Sequence, residues 1–393
     1  MTRLSTLFAG LLAAVLSGPL AGESLLVNTR LHPEETIDPG EVLQLDLKNH
    51  FQFYTAPGPV ATFTIDMPVP LGMHTFTIQD SEVPVMIYQL ADGTSWEDID
   101  HPSDRRASEY VWENHSVQFQ LLADQAPLTV ANFMTYAEDG AYQQTVIHRN
   151  ESTGTIFRPS GAFNFNPLHI IQSGGVKLYP GDDKVLEVIS TYPQITFEET
   201  VPNTAGTLAM ARSNALDTAN SQFFINLEDN TNAFGTAYSV FGELVEPDGT
   251  LPVLKTFADA PVYDLSSPRP GDPPGTNTNV FPTLPFQTIP LYSPYPLEKA
   301  SYARFTSVTV PEGDPEGVQY SWEWVDDDEE VSEEEAQNRA AFQISIEGST
   351  FSVSRTSTGL AQIRVIGSDG AEGTAAFTID LTGYSAQALE AFP

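Results

Sequence analysis

The chain has 393 residues, 41% hydrophobic and 10% aromatic, which is enough apolar material for two or more cored domains and excludes a disordered polyelectrolyte. Its 52 acids against 17 bases give a formal net charge of −35; this argues against a nucleic-acid partner and against docking on anionic lipid, because both need clustered Lys and Arg, and leaves solubility as the simplest use of the charge. No cysteine is present, so disulfides, thiolate nucleophiles and thiolate metal sites are excluded.

In chain order, Arg3, the apolar run Leu7–Leu16 and the small residues Ser17, Gly18, Ala21 and Gly22 predict a cleaved secretory signal over 1–22, with a retained N-terminal anchor as the alternative. No later apolar stretch is long enough to span a bilayer. The mature protein is therefore expected outside the cytoplasm, secreted or in the periplasm or cell envelope. Residues 23–56 read as a β segment, with Val42, Leu43, Leu45 and Leu47 alternating after the turn Asp38-Pro39-Gly40. Strands are predicted at Ala61–Met67, His74–Gln79, Val83–Leu90 and Val117–Leu122, with Asp92–Arg106 as a polar loop or short helix between them.

Ala126–Glu138 has helical spacing in Val130, Phe133, Met134 and Ala137, with Pro127 suited to its first turn and Gly140 to its stop. Further strands are expected at Thr145–His148, Leu168–Gln172, Thr207–Ala211, Gln222–Asn226, Tyr238–Leu244 and Ala303–Val310. The stretch 260–297 is dense in Pro, Gly, Asn and Ser and reads as a connection or linker. The acidic run Asp326–Glu335 lacks the ligand spacing and turning glycine of a calcium loop and reads as a solvated face. Beyond it, Phe342–Ile346, Thr350–Ser354, Ala361–Ile366 and Ala375–Leu381 are short strands separated by turns.

Three segments carry chemistry. The first is Ala126-Pro127-Leu128-Thr129-Val130-Ala131-Asn132-Phe133 followed by Ile147-His148-Arg149. The second is Ile170-Ile171-Gln172-Ser173-Gly174-Gly175. The third is Gly206-Thr207-Leu208-Ala209-Met210-Ala211-Arg212, then Ser221-Gln222-Phe223-Phe224-Ile225-Asn226, then Tyr238-Ser239-Val240-Phe241-Gly242. In this order they resemble the cyclophilin family of peptidyl-prolyl cis-trans isomerases over roughly residues 60–310.

The resemblance implies a mainly β fold, a closed eight-stranded antiparallel barrel capped by two helices over 57–311, and rotation about X-Pro bonds of proline-containing polypeptides without metal or cofactor. By the same resemblance, Arg149 is the catalytic arginine, Gln172 the residue that holds it, and Gln222 the residue that bonds the substrate backbone. Phe224 is the pocket floor, lined by Met210, Ala211, Phe234 and Tyr238. His169 takes the place of a pocket-closing aromatic, to stack on proline, titrate or stay exposed, with Phe163 or Phe165 as alternatives. Arg212 adds a second cation.

Three features depart from the family pattern. The gap Asn150–Ile171 is long, the usual tryptophan is replaced by Phe234 as the one apolar candidate, and Ser173 stands where glycine is usual. The chain is read as an isomerase assisting the folding of exported proteins, monomeric, with a proline-peptide binding module that has lost turnover as one alternative. An adhesive surface protein is the other.

Residues 312–386 resemble the Ig-like or cadherin-like repeats of bacterial surface proteins, and 387–393 form a tail. Such a sandwich needs more strands than this stretch carries. The missing strands are sought in 24–56, with the barrel inserted between the two halves; the alternative makes 24–56 a separate cap on the barrel.

Overall fold

The computed structural model describes residues 24–30, 42–78, 81–100, 104–152, 155–158, 161–164, 168–179, 186–263, 289–290, 299–325, 333–355, 361–370, 373–381 and 386–387. The expected signal over 1–22, most of the stretch 260–297 and the acidic residues 326–332 lie outside them. Within the described residues the protein is mainly β with few helices, and none of these helices is long and apolar enough to cross a membrane.

The spacing-predicted helix forms as Pro127–Glu138, and every residue from Leu128 to Ala137 is buried. It starts on Pro127, whose missing N–H has no intrahelical partner to lose. The Glu198 carboxylate caps it from 70 residues away, accepting the Leu128 and Thr129 N–H groups and the Thr129 hydroxyl. Burial raises the Glu198 pKa against the pull of those bonds. A second helix, Pro247–Ala258, escapes the sequence reading because Gly249 and Pro252 interrupt its pattern; Leu254, Phe257 and Ala258 form its buried face.

Eleven strands form one antiparallel sheet. In spatial order they are Leu186–Val188, Val176–Leu178, Thr145–Val146, Arg304–Thr309, Val60–Pro68, Trp112–Leu121, Val240–Leu244, Thr207–Met210, Phe223–Asn226, Ile170–Ser173 and Arg149–Asn150. The segment 145–150 meets this ladder twice. Thr145–Val146 pairs with Arg304–Thr309, and Arg149–Asn150 pairs with Ile170–Ser173. Between them the Ile147 N–H bonds the Ala303 carbonyl and the His148 N–H bonds the Gln172 carbonyl. The sheet thus curls around the face on which alternate residues such as Phe63, Phe119, Phe223, Phe241 and Phe305 are buried to under 2% exposure.

The long gap after Arg149 contains a hairpin, Thr155–Arg158 with Gly161–Asn164, extended by Val262–Tyr263 and Ile289–Pro290.

Residues from both ends of the chain share a second core. Val42–Asp46 pairs with Thr350–Arg355, setting Leu43 opposite Val353 and Leu45 opposite Phe351. Thr350–Arg355 pairs in turn with Phe342–Glu347. A further sheet runs Gln319–Trp324, Gln362–Ser368, Thr374–Asp380 and Ala386–Gln387. Leu43, Leu45, Phe51, Phe351, Val353, Ile363, Val365, Phe377 and Ile379 are buried together. Phe51 stacks on Phe377 at 5.6 Å between ring centres. It also lies so close to Gly367 that a Cβ there would stand 2.7 Å from its ring, so the neighbouring strand needs a residue without a side chain. Asn28 Nδ2 donates to the carbonyl of Ala376, 348 residues on.

The N-terminal segment meets the long helix through Arg30, which bonds Asp139 at 2.5 Å and approaches Glu138 at 3.9 Å. Burial pushes Glu138 up to about 7, with Arg30 opposing and Asp139 and Glu312 adding to the rise.

Candidate active site

Strand register builds the polar half of the site. Arg149 stands opposite Gln172, and Gln172 opposite Phe224, so three adjacent strands bring together residues 75 positions apart in the chain. Arg149 Nη1 donates to Gln172 Oε1 at 3.3 Å, and Gln172 Nε2 donates to Gln222 Oε1 at 2.9 Å. His148 Nε2 lies 3.1 Å from the same Gln222 oxygen. Burial pushes His148 down to about 4, with the Gln222 bond opposing the fall. The ring is therefore neutral near pH 7, and facing an oxygen it carries its proton on Nε2. Both lone pairs of Gln222 Oε1 are then used. Its NH2 group has no partner among the described residues.

Close approach explains the glycines beside this row. Gly174 adopts φ +80°, and a Cβ there would run into the Ser221 carbonyl. A Cβ on Gly175 would meet His148 Cε1 at 3.0 Å and Gln222 Cδ at 3.3 Å. Ser173 is tolerated in the usual glycine position because the left-handed residue is Gly174. The Ser173 hydroxyl is buried, donates to the Val146 carbonyl at 3.0 Å and lies 3.1 Å from the Thr145 hydroxyl.

The apolar half lies on the outer face of the sheet. Leu122, Ile170, Ala209, Phe224 and Val240 are buried together, with Leu168, Ala211, Phe234 and Tyr238 half-buried against them. Phe234 and Tyr238 meet Phe224 edge-on at 5.7 and 5.3 Å, forming an aromatic cluster. Phe223, the neighbouring residue, packs in the sheet's interior.

The structure moves two expected pocket residues. Met210 packs in the interior with Phe223; alternation along the strand sets Ala209, beside the expected Ala211, in the Phe224 cluster. His169 has φ +51°, and the residues of this segment packed on the Phe224 cluster are its two neighbours, Leu168 and Ile170. The His169 ring is half-buried, its backbone N–H bonds the Glu151 carbonyl, and its own carbonyl accepts the Leu227 N–H. The side chain of Phe163 and the whole of Phe165 lie outside the described residues.

Arg212 does not stand as a spare cation. Its Nε and Nη2 donate to the Ala237 carbonyl at 3.0 and 2.6 Å, and Nη1 donates to the Ser213 carbonyl at 2.9 Å. Its guanidinium lies over the Tyr238 ring, 5.0 Å from the centre. It ties together two loops of the pocket rim. Sequence reasoning also missed Glu151, whose Oε1 accepts from Arg149 Nε at 2.7 Å and lies 2.6 Å from Nη2. The signal for it is its position two residues beyond the arginine on an extended segment. Among the described residues no group of three or more His, Asp or Glu could hold a metal ion.

Comparison with known proteins covers the same residues. Residues 111–273 match the family model described as cyclophilin type peptidyl-prolyl cis-trans isomerase/CLD. Among solved structures, a cyclophilin-type isomerase of Cryptosporidium parvum aligns over 50% of this chain and 94% of its own, at 18% identity and a TM-score of 0.29. A peptidyl-prolyl cis-trans isomerase of Acinetobacter baylyi is 29% identical over 164 residues, 40% of this chain and 76% of the relative. Peptidyl-prolyl cis-trans isomerase B of Escherichia coli is 34% identical over 155 residues, 37% of this chain and 82% of the relative. The chain belongs to the cyclophilin-type peptidyl-prolyl cis-trans isomerase family. All of Arg149, Gln172, Gln222 and Phe224 fall inside the matched cyclophilin span. The strands Val60–Pro68 and Arg304–Thr309 lie outside that span yet belong to the same sheet.

Proposed function

We propose that Arg149, Gln172 and Gln222, set beside the Phe224 cluster, carry out the cis-trans isomerisation of X-Pro bonds in this cyclophilin. The single observation that carries the reading is the hydrogen-bonded row from Arg149 through Gln172 to Gln222, with Phe224 opposite Gln172 in register. The X-Pro bond is partly double, and rotation about it faces a barrier of ~18–20 kcal/mol. Half-way through the rotation the imide nitrogen loses conjugation and its lone pair becomes localised on it. A fixed cationic donor aimed at that nitrogen stabilises the twisted form more than either planar form. Arg149 supplies the donor and Gln172 holds it. Gln222, its oxygen occupied by His148 and Gln172, presents its NH2 to a substrate carbonyl. Phe224, Phe234 and Tyr238 receive the proline ring.

Three further features belong to this proposal. Eight strands, running from the segment 145–150 through Ile170–Ser173 and round to Arg304–Thr309, make a closed barrel; the double pairing of that segment supports closure. The strands 24–56 and 312–386 make one Ig-like sandwich interrupted by the isomerase; the pairing of Val42–Asp46 with Thr350–Arg355 supports it. Clients are proteins exported with the enzyme, a placement that rests on the N-terminal sequence and is checked by mass spectrometry of the mature N-terminus in cell fractions.

The catalytic reading is tested with a protease-coupled assay on a short X-Pro peptide. Arg149→Ala is expected to lower kcat/KM by about 10²–10³, the usual cost of removing one transition-state donor. Unchanged turnover in that variant would refute the assignment.

A further inference from the structure

We infer that Glu151 is a positioning residue for the isomerase reaction, holding the Arg149 guanidinium in the one orientation that offers its remaining N–H groups to the prolyl imide. The inference rests on the role proposed for Arg149 above. Arg149 and Glu151 stand two residues apart on one extended segment, so their side chains leave it on the same side. The backbone beneath Glu151 is fixed twice: its N–H bonds the Ile170 carbonyl at 2.9 Å, and its carbonyl accepts the His169 N–H at 2.8 Å. Asn150, between the two, is locked on the opposite side. Its Nδ2 donates to the Ala258 carbonyl at 2.7 Å, and its Oδ1 accepts the Ser152 N–H at 2.9 Å.

The contacts on Arg149 are unequal. Gln172 makes one long bond of 3.3 Å, whereas Glu151 Oε1 stands 2.7 Å from Nε and 2.6 Å from Nη2. A guanidinium has five N–H donors on a plane, and hydrogen bonds to a charged acceptor are the shorter and stronger kind. Glu151 therefore fixes the plane, and Gln172 fixes which edge faces it. One N–H on each terminal nitrogen remains for the substrate. The Glu151 side chain is only 17% exposed, so solvent screens the pair weakly. Without Glu151 the arginine would hang on the 3.3 Å bond alone and would lose rotamer freedom at each turnover. The opposite effect, a carboxylate drawing positive charge away from the imide nitrogen, makes Glu151 a brake and predicts the opposite sign.

The decisive measurement is kcat and KM of the full-length protein in the X-Pro assay for wild type, Glu151→Ala, Glu151→Gln and Arg149→Ala. Glu151→Ala should lower kcat about tenfold with a smaller change in KM, the cost of a loosened catalytic group. Glu151→Gln keeps an acceptor oxygen and the side-chain shape, so it should recover part of the loss and guards against misfolding of the Ala variant. In the Arg149→Ala background, Glu151→Ala should add no further loss. A rise in kcat for Glu151→Ala would establish the brake and overturn the inference, and an unchanged kcat would overturn it too. If Arg149→Ala alone turns over like wild type, the role of Arg149 itself falls, which separates that failure from failure of the Glu151 brace.

Discussion

Phe223 and Phe224 are neighbours in sequence and serve opposite sides of one sheet. Phe223 faces an interior where Tyr142, Phe63 and Phe133 stand 5.2 to 5.7 Å from its ring, and it has no exposed surface. Phe224 faces a smaller group completed by half-buried side chains, Leu168, Ala211, Phe234 and Tyr238. The interior draws on Val27 and on strands and two helices from Ala61 to Val308, so it fixes the backbone to which Gln172 and Gln222 are attached. The outer face borrows that rigidity and keeps few neighbours of its own. The proposed catalytic row is thus held from behind by the larger core, and the smaller cluster stands in front of it.

The largest expected effects test that division directly. Phe223→Ala should cost about 3–5 kcal/mol of stability, the range for emptying a packed aromatic site, with KM little changed in the protein that remains folded. Phe224→Ala should cost less stability and raise KM. Urea unfolding and peptide kinetics on both variants decide it; equal stability losses with equal KM would erase the distinction between the faces.

Next comes the rim. Arg212→Ala removes the tie between the Ser213 and Ala237 loops and the cover over Tyr238. KM should rise several-fold, kcat should fall less, and Arg212→Lys should not restore it because Lys lacks the planar fork. A variant that binds and turns over as wild type would show that the rim needs no such tie.

The smallest effect concerns the far end of the helix that carries Phe133 inward. Glu138 takes up its proton near pH 7 in the folded protein, against an ordinary value of 4.5. A raised carboxyl contributes stability that is present below about 4.5 and lost as pH climbs towards 7. Glu138→Gln should therefore become progressively more stable than wild type over that window, with KM unaffected. His50 and His148, both pushed down to about 4 by burial, act in the other sense: stability falls as pH drops from 6.5 towards 4. They are common to both proteins and cancel in the difference. A constant gap in melting temperature across pH 4.5 to 7 would remove Glu138 from the account.

Much of this was legible because two periods persist in the sequence. Alternation in Ala61-Phe63-Ile65 and Val117-Phe119-Leu121 locates the interior, and helical spacing locates Pro127–Glu138. The same alternation applied to Ala209-Met210-Ala211 already assigns Met210 to the interior, against the pocket role expected from resemblance. It also applies to Tyr320, Trp322 and Trp324, whose strand Gln319–Trp324 was overlooked. His169 was expected in the pocket from resemblance alone, whereas alternation back from Gln172 passes through Ile170 and Leu168, the two residues that pack on the Phe224 cluster. The brace from Glu151 depends on an Arg–Glu pairing that spacing permits but does not demand.

The pairing of Val42–Asp46 with Thr350–Arg355 has a consequence for how the chain comes into being. Synthesis runs from the N-terminal side, so Leu43 and Leu45 exist long before Phe351 and Val353 arrive to cover them. Through that interval the early strand is an unmatched edge, while everything needed for the catalytic sheet is produced and can assemble. The working machinery is therefore the elder part of the molecule, and the terminal sheets act as a late fastening that joins the two only once the last strands have been made.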